Sequence, residues 1–151
     1  MNIDEKTLRE IVAQVIAGMQ GCCEGSIVRS EDPISGVKCI NCSNLEMERL
    51  DTGNPNDQVW VKDVITDADN KNLSAGFLEI KETEFDWELP YDEIDYIIDG
   101  ELTIKINGKN IVCYPGDVLL LPKGIKFQWS AKKYSKSIYI TYPANWQDLL
   151  K

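Results

Sequence analysis

The second half of the chain alternates short apolar stretches with clusters of turn-forming residues. Leu102, Ile104 and Ile106 alternate with polar residues, which is the period of a half-buried β-strand. The dipeptide Asn107-Gly108 follows directly and predicts a type I′ hairpin, because both residue types tolerate positive φ. Several such short strands with turn residues between them predict an all-β sandwich or small barrel.

Residues 4–20 follow a different period, in which apolar residues recur at steps typical of one helix face. This spacing predicts a short amphipathic α-helix. Because so short a helix is marginal alone in water, its apolar stripe must be buried against something. Two interpretations stay open: the stripe packs on its own barrel, or it docks the chain to another protein. The stripe consists of Leu8, Ile11, Val12, Val15, Ile16 and Met19.

Between these regions, turn-forming residues are spread through residues 21–57. We interpret this segment as a linker with possible edge strands, one of them over residues 37–40. The sequence is therefore divided into an amphipathic docking helix (1–20), a linker (21–57) and a barrel (58–151).

Charge limits the partners of the chain. Its 151 residues include 16 basic and 25 acidic side chains, a formal net charge of −9, and we see no local cluster of Lys and Arg. Since nucleic acids and membrane surfaces are also anionic, we expect binding to neither. We find neither a membrane-spanning apolar run of roughly 20 residues nor a signal peptide, so we expect a cytoplasmic protein, or one that is packaged after synthesis.

The chain has five cysteines, and four of them have two possible interpretations. Cys22, Cys23, Cys39 and Cys42 could close a tetrahedral zinc site, because thiolates are good zinc ligands. The alternative is that they are reduced thiols in a loop-rich region, since a vicinal pair makes a poor half-site. Cys113 lies inside an apolar strand and is expected to be a small core residue.

Two motifs narrow the fold. The segment from Glu93 to Gly100 resembles the second half of the first cupin motif, and residues 115–127, which read PGDVLLLPKGIKF, resemble the second. Their order and separation predict a cupin-type jelly-roll β-barrel, preceded by the short N-terminal helix. Metal-binding cupins carry histidines in both motifs, whereas this chain has no histidine and places Phe127 at the second-motif position.

Metal chemistry based on imidazole is therefore excluded by composition. Asp86, Glu88 and Glu93 could still hold a hard cation such as Mg²⁺, but we interpret the first two as solvated loop charges. We accordingly predict no metal site.

A closer resemblance covers roughly residues 45–151. Several segments in order resemble the EutQ family of ethanolamine-utilisation cupins. The resemblance implies association with a bacterial microcompartment, an ATP-dependent acetate kinase activity with ATP and Mg²⁺ and no tightly bound cofactor, and a homodimer. By analogy, residues 4–20 would dock to a shell protein. The alternative is a non-catalytic ligand-binding or shell-assembly cupin. The segments are 51–55, 75–77, 91–95, 122–124 and 143–147.

A cupin barrel binds its small-molecule ligand among inward-facing side chains in its mouth. We expect Glu93 to act there as general acid or base with a raised pKa, with Tyr91 or Tyr96 as hydrogen-bond donor, or else to be a structural acid held by tyrosine hydroxyls. No phosphate-binding loop supports the kinase activity. The expected ligand-binding residues are Phe77, Trp87, Phe127, Trp129 and Tyr139.

Overall fold

The computed structural model describes residues 27–150, whose regular structure is almost entirely β. The helix predicted over 4–20, with Cys22 and Cys23, lies outside these residues. Among residues 27–150, no helix is long and apolar enough to cross a membrane. The strands are β1 Val28–Glu31, β2 Lys38–Ile40, β3 Glu48–Arg49, β4 Val59–Ile65, β5 Ser74–Glu88, β6 Asp92–Gly100, β7 Leu102–Ile106, β8 Lys109–Cys113, β9 Val118–Leu121 and β10 Lys126–Tyr142, and a 3₁₀ helix follows at Trp146–Leu150.

The chain divides into two compact units between Ser43 and Asn44. In the first unit, β1 and β2 pair antiparallel as a small two-stranded sheet. The second unit, the barrel, begins at Asn44 rather than at the predicted residue 58. The reason is that β3 pairs with β4 and so joins the barrel sheet.

The barrel is one continuous sheet in the order β3-β4-β5-β10-β6-β9, with β7 pairing with β10 and β8 with β7. The two longest strands let this sheet fold over on itself. The first part of β10 pairs with β7 and the second part with β6, and the ladder to β5 shifts between Ala131 and Tyr134. On β5, Glu82 has a φ of 46° near this point, as expected where a strand bends. The predicted all-β jelly roll is therefore confirmed.

The core consists of inward-facing apolar side chains from both layers of the folded sheet. Leu102 and Ile104 are fully buried, as their alternation predicts, and Cys113 is buried beside them. The predicted hairpin joins β7 to β8, with φ of 51° at Asn107 and 73° at Gly108. This tight turn brings the β7–β8 tip to the end of the barrel where β5 ends and β10 begins.

Candidate functional site

Strand alternation at the start of β6 puts two carboxyl groups inside the barrel. Glu93 and Asp95 are buried, whereas Ile94 and Tyr96 are largely exposed. Because residues three apart on a strand point to opposite faces, Glu93 and Tyr96 cannot share a cavity. The expectation that Tyr96 serves Glu93 is therefore wrong: its side chain is 47% exposed on the outer face.

An interior cavity of about 30 Å³ lies next to Glu93. This volume is room for roughly two water molecules. Most of its wall is aromatic, so a carboxyl group there loses its hydration without gaining a cation. The lining residues are Leu50, Val61, Leu78, Phe85, Trp87, Tyr91, Glu93, Trp129, Tyr139 and Trp146.

The polar groups of this wall lie close enough to change one another's pKa. Trp87 lowers the pKa of the Tyr91 hydroxyl, and Tyr91 lowers that of Glu93, in both cases against the larger effect of burial. Burial, and then the charge of Asp95, raise the pKa of Glu93 well above its usual value. Burial and the neighbouring Glu93 also raise the pKa of Tyr91. Tyr91 is therefore a donor throughout the ordinary pH range, and burial favours the neutral form of Glu93.

Asp95 is close enough to Glu93 for the two carboxyl groups to share a proton. Its Oδ1 accepts a hydrogen bond of 2.8 Å from the Ser137 hydroxyl. Its Oδ2 is buried and accepts no hydrogen bond from any described residue. The Glu93 carboxyl is within hydrogen-bonding reach, so a proton on Glu93 can satisfy the pair. Burial raises the pKa of Asp95 to about 6, against the lowering effect of the Ser137 hydroxyl.

On the other side of the cavity, Asp63 holds the C-terminal segment in place. Its carboxylate accepts hydrogen bonds from the Tyr139 hydroxyl at 2.5 Å, Trp146 Nε1 at 3.2 Å and Gln147 Nε2 at 2.9 Å. Tyr139 reaches Asp63 across Gly76, where a Cβ would come within 2.3 Å of its hydroxyl oxygen. A side chain at Gly76 would therefore block this contact.

A second, larger cavity of about 700 Å³ opens where β5 ends, β10 begins and the β7–β8 hairpin turns; we call it the mouth cavity. Trp87 is part of the lining of both cavities, so the two cavities adjoin at this residue. The mouth cavity also collects three lysines, which corrects the expectation that basic residues form no cluster. Its lining residues are Asp86, Trp87, Glu88, Lys105, Ile106, Asn107, Gly108, Lys109, Asn110, Lys126, Phe127 and Gln128.

The expected site residues are only partly brought together. Trp87, Tyr91, Glu93, Trp129 and Tyr139 line the interior cavity. Phe127 lines the mouth cavity instead, with its ring centroid 5.1 Å from that of Trp129.

Phe77 belongs to neither cavity. Leu78 lines the interior cavity, so its strand neighbour Phe77 faces the other side of the sheet, where Lys136 Nζ lies 5.6 Å from its ring. The placement of Phe77 at the site is therefore wrong.

Sequence reasoning missed three groups near Glu93. Trp146 is 4% exposed and packs edge-on against Tyr91 at 5.7 Å and Tyr139 at 5.8 Å. Asp95 could have been found by strand alternation from Glu93. Asp63 could not, because its partners lie more than 70 residues further along the chain.

The described residues contain no group of three or more His, Cys, Asp or Glu side chains placed to hold a metal ion. Cys39 is exposed and Cys42 is half-buried, and their proposed partners lie outside the described residues. Any hard cation at the mouth cavity would therefore need ligands supplied by a substrate as well as by the chain.

Fold and site together define a cupin barrel with an interior of aromatic and carboxyl groups. A solved RmlC-like cupin from Shewanella frigidimarina shares the fold, with a TM-score of 0.54 at 18% identity, covering 68% of this chain and 87% of that one. The predicted cupin-type fold is confirmed.

The chain belongs to the EutQ family of ethanolamine utilisation proteins, whose family model matches residues 2–148. It is 43% identical over 148 residues to a protein named acetate kinase EutQ from Clostridioides difficile (strain 630), covering 96% of this chain and 92% of that protein. The solved Clostridium difficile EutQ structure matches with a TM-score of 0.74 at 46% identity, covering 80% of this chain and 90% of that one.

The acetate kinase EutQ of Escherichia coli (strain K12) is 30% identical over 96% of this chain. This chain spans only 63% of the length of that relative.

Proposed function

We propose that the chain phosphorylates acetate with ATP, forming acetyl phosphate and ADP, as part of ethanolamine utilisation. The observation that carries this proposal is the adjacency of two cavities: Tyr91 and Glu93 line one, three lysines line the other, and Trp87 is part of the lining of both. The name acetate kinase, given to its relatives from C. difficile and E. coli, supports the same reaction.

Phosphoryl transfer to acetate requires that acetate and ATP be positioned, but it does not require a general base. Acetate is already a carboxylate at neutral pH, so its oxygen can attack phosphorus without losing a proton. A neutral Glu93 does not repel this anion, and the Tyr91 hydroxyl can turn from Glu93 to donate to it. Trp87, Trp129 and Tyr139 supply apolar walls for the methyl group, and Phe127 closes the mouth side.

This assigns Glu93 and Tyr91 the roles of neutral hydrogen-bonding groups. Because the interior cavity is only about 30 Å³, acetate must displace an aromatic side chain as it binds. ATP and Mg²⁺ act as substrate and its counter-ion, and no tightly bound cofactor is proposed.

The test is acetate-dependent ADP formation by the highly purified full chain and matched variants. Tyr91→Phe should lower kcat/KM for acetate by about 10- to 100-fold, because one hydrogen bond to a charged group is lost. Glu93→Gln should keep it within about threefold, because an amide retains a donor and an acceptor without charge. Tyr114→Phe, at an exposed residue outside both cavities, is the control.

A wild-type chain without acetate-dependent turnover would contradict the proposal. A loss of about 1,000-fold in Glu93→Gln would instead indicate an acid or base role for Glu93.

One observation favours the alternative of a non-catalytic ligand-binding or shell-assembly cupin. Two donors of the interior cavity already have a partner inside the protein, because Tyr139 and Trp146 both donate to Asp63. These two contacts do not need a ligand. Stoichiometric ligand binding with no turnover would favour this reading.

We further propose that the chain works in the cytoplasm in association with a bacterial microcompartment, with residues 4–20 docking to a shell protein. The apolar stripe predicted there supports this, although those residues lie outside the described part. Ile11→Lys and Val15→Lys should abolish co-sedimentation with purified shells, and Gln14→Lys on the polar face should not. Unchanged co-sedimentation would contradict the docking proposal.

A further inference from the structure

We propose that the mouth cavity binds the phosphates of a Mg²⁺–nucleoside triphosphate, with Lys105, Lys109 and Lys126 around the phosphates and Asp86 as a metal ligand. This inference rests on the proposed kinase function and names the nucleotide subsite of its reaction. The cavity volume of about 700 Å³ lies within the range of roughly 300–1,000 Å³ that small-molecule sites occupy.

The three lysines are brought together by strand pairing. Lys105 on β7 pairs with Gln128 on β10, and Lys126 lies two residues earlier on the same strand. Lys109 follows the Asn107-Gly108 turn and lies opposite Ile106. In a chain with a net charge of −9, this is a local concentration of cations facing one cavity.

These ammonium groups are available to a phosphate. Lys126 pairs with Glu88 at 3.0 Å, but both side chains are mostly exposed, and such surface pairs are weak. Lys105 pairs with Glu84 in a half-exposed contact. Lys109 forms no ion pair with any residue from 27 to 150. A triphosphate offers several charges at once and can therefore compete for all three lysines.

Two carboxylates complete the site. Asp86 and Glu88 are two residues apart on β5, so their side chains project from the same face and both line the mouth cavity. Mg²⁺ in nucleotide sites is typically held by one or two carboxylates together with substrate phosphates. Asp86 forms no ion pair within the described chain, which leaves it free for the metal.

Trp87 connects this site to the acceptor. Trp87 is part of the lining of both cavities, so the two cavities adjoin at this residue. A terminal phosphate near Trp87 lies next to the cavity assigned to acetate. In the transfer, an acetate oxygen forms a bond to the γ-phosphorus, the bond to the ADP oxygen breaks, and ADP keeps the electron pair. No proton is transferred, and the lysines and Mg²⁺ balance the charge on the leaving group.

The binding test uses isothermal titration calorimetry of the full chain with Mg²⁺ and adenylyl-imidodiphosphate, a nucleotide analogue that does not transfer its phosphate. Lys109→Gln should raise Kd by about 10-fold or more, because a charge-assisted contact to phosphate is lost. Asp86→Asn should weaken binding only when Mg²⁺ is present. Lys133→Gln, an exposed lysine that lines neither cavity, should leave Kd within about twofold.

No binding by the wild-type chain at millimolar analogue, or an unchanged Kd in both mouth variants, would overturn the inference. The outcome is separable from that of the proposed function. If the chain makes acetyl phosphate and the mouth variants keep their KM for ATP, the nucleotide binds elsewhere and the function stands. If the variants lose analogue binding but the wild type makes no acetyl phosphate, the subsite stands and the kinase proposal fails.

Discussion

At the scale of single residues, the barrel buries two carboxyl groups without a cation to balance them. Neither Glu93 nor Asp95 forms an ion pair with a described lysine or arginine. Burial raises both pKa values, that of Asp95 from an ordinary 3.8 to about 6. The folded chain therefore holds protons that the unfolded chain releases, so the stability contributed by the pair is full below about pH 4 and falls as the pH rises through about 6.

This loss of stability with rising pH gives a prediction for Glu93→Gln, which replaces the titratable carboxyl group of Glu93 by an amide. Relative to wild type, the variant should gain unfolding free energy as the pH rises from 4 to 8, because the wild type loses the contribution of the protonated Glu93 over this range and the variant does not. Urea unfolding across this pH range measures the difference. Asp67→Asn, at an exposed carboxylate, should show a nearly constant difference from wild type. A pH-independent difference for Glu93→Gln would contradict the shared-proton description.

Some of these residue positions follow from sequence alone. The cupin motif correctly places Glu93 inside, and strand parity then puts Asp95 inside and Tyr96 outside. The shift in the pKa of Asp95 does not follow, because it depends on Ser137, 42 residues away, and on complete burial.

At the scale of elements, the C-terminal 3₁₀ helix closes the interior cavity. Trp146 contributes its ring to the cavity wall and its Nε1 to Asp63. The 3₁₀ helix is thus hydrogen-bonded to β4 through the carboxylate of Asp63. Any ligand that reaches Glu93 from this side must first displace Trp146.

Substitution of Trp146 should separate the packing contribution from the hydrogen bond. Trp146→Ala should lower the unfolding free energy by about 3–5 kcal/mol, and Trp146→Phe by about 1–3 kcal/mol because mainly the bond to a charged group is lost. Leu150→Ala, on the same helix but more exposed, should cost less than about 1 kcal/mol. These values come from urea unfolding. A loss below about 1 kcal/mol for Trp146→Ala would contradict its role in closing the cavity.

Elements that are set by neighbouring residues could be predicted from the sequence. Elements that depend on pairing with a distant part of the chain could not. The Asn107-Gly108 turn sets the β7–β8 hairpin from two adjacent residues. The early start of the barrel depends on β3, a two-residue strand recognised only by its pairing with β4. The three lysines of the mouth cavity are separated by up to 21 residues in sequence and meet only after β10 pairs with β7.

At the scale of the whole molecule, one face of the barrel is apolar and exposed. Ile140, Ile94 and Leu120 lie side by side across β10, β6 and β9, and Tyr96 and Val118 form an adjacent row. Leu120 is 64% exposed. Since contiguous exposed apolar surface marks interaction sites, we propose that this face forms a homodimer by packing against the same face of a second copy.

Charge on this face should prevent assembly. Leu120→Glu should convert a dimer of the 17.1 kDa chain into a monomer in sedimentation velocity, because a carboxylate would be buried without a partner. Val112→Glu, on β8 and away from this face, should remain dimeric. A monomeric wild type, or a dimeric Leu120→Glu variant, would contradict the proposed interface.

The most direct test of the central claim is ³¹P nuclear magnetic resonance of the purified full chain with Mg²⁺, ATP and acetate. The proposed function predicts acetyl phosphate and ADP appearing in equal amounts, only when acetate is present, and a strongly reduced rate in Tyr91→Phe. ATP that stays intact, or ATP hydrolysed at the same rate with and without acetate, would contradict it.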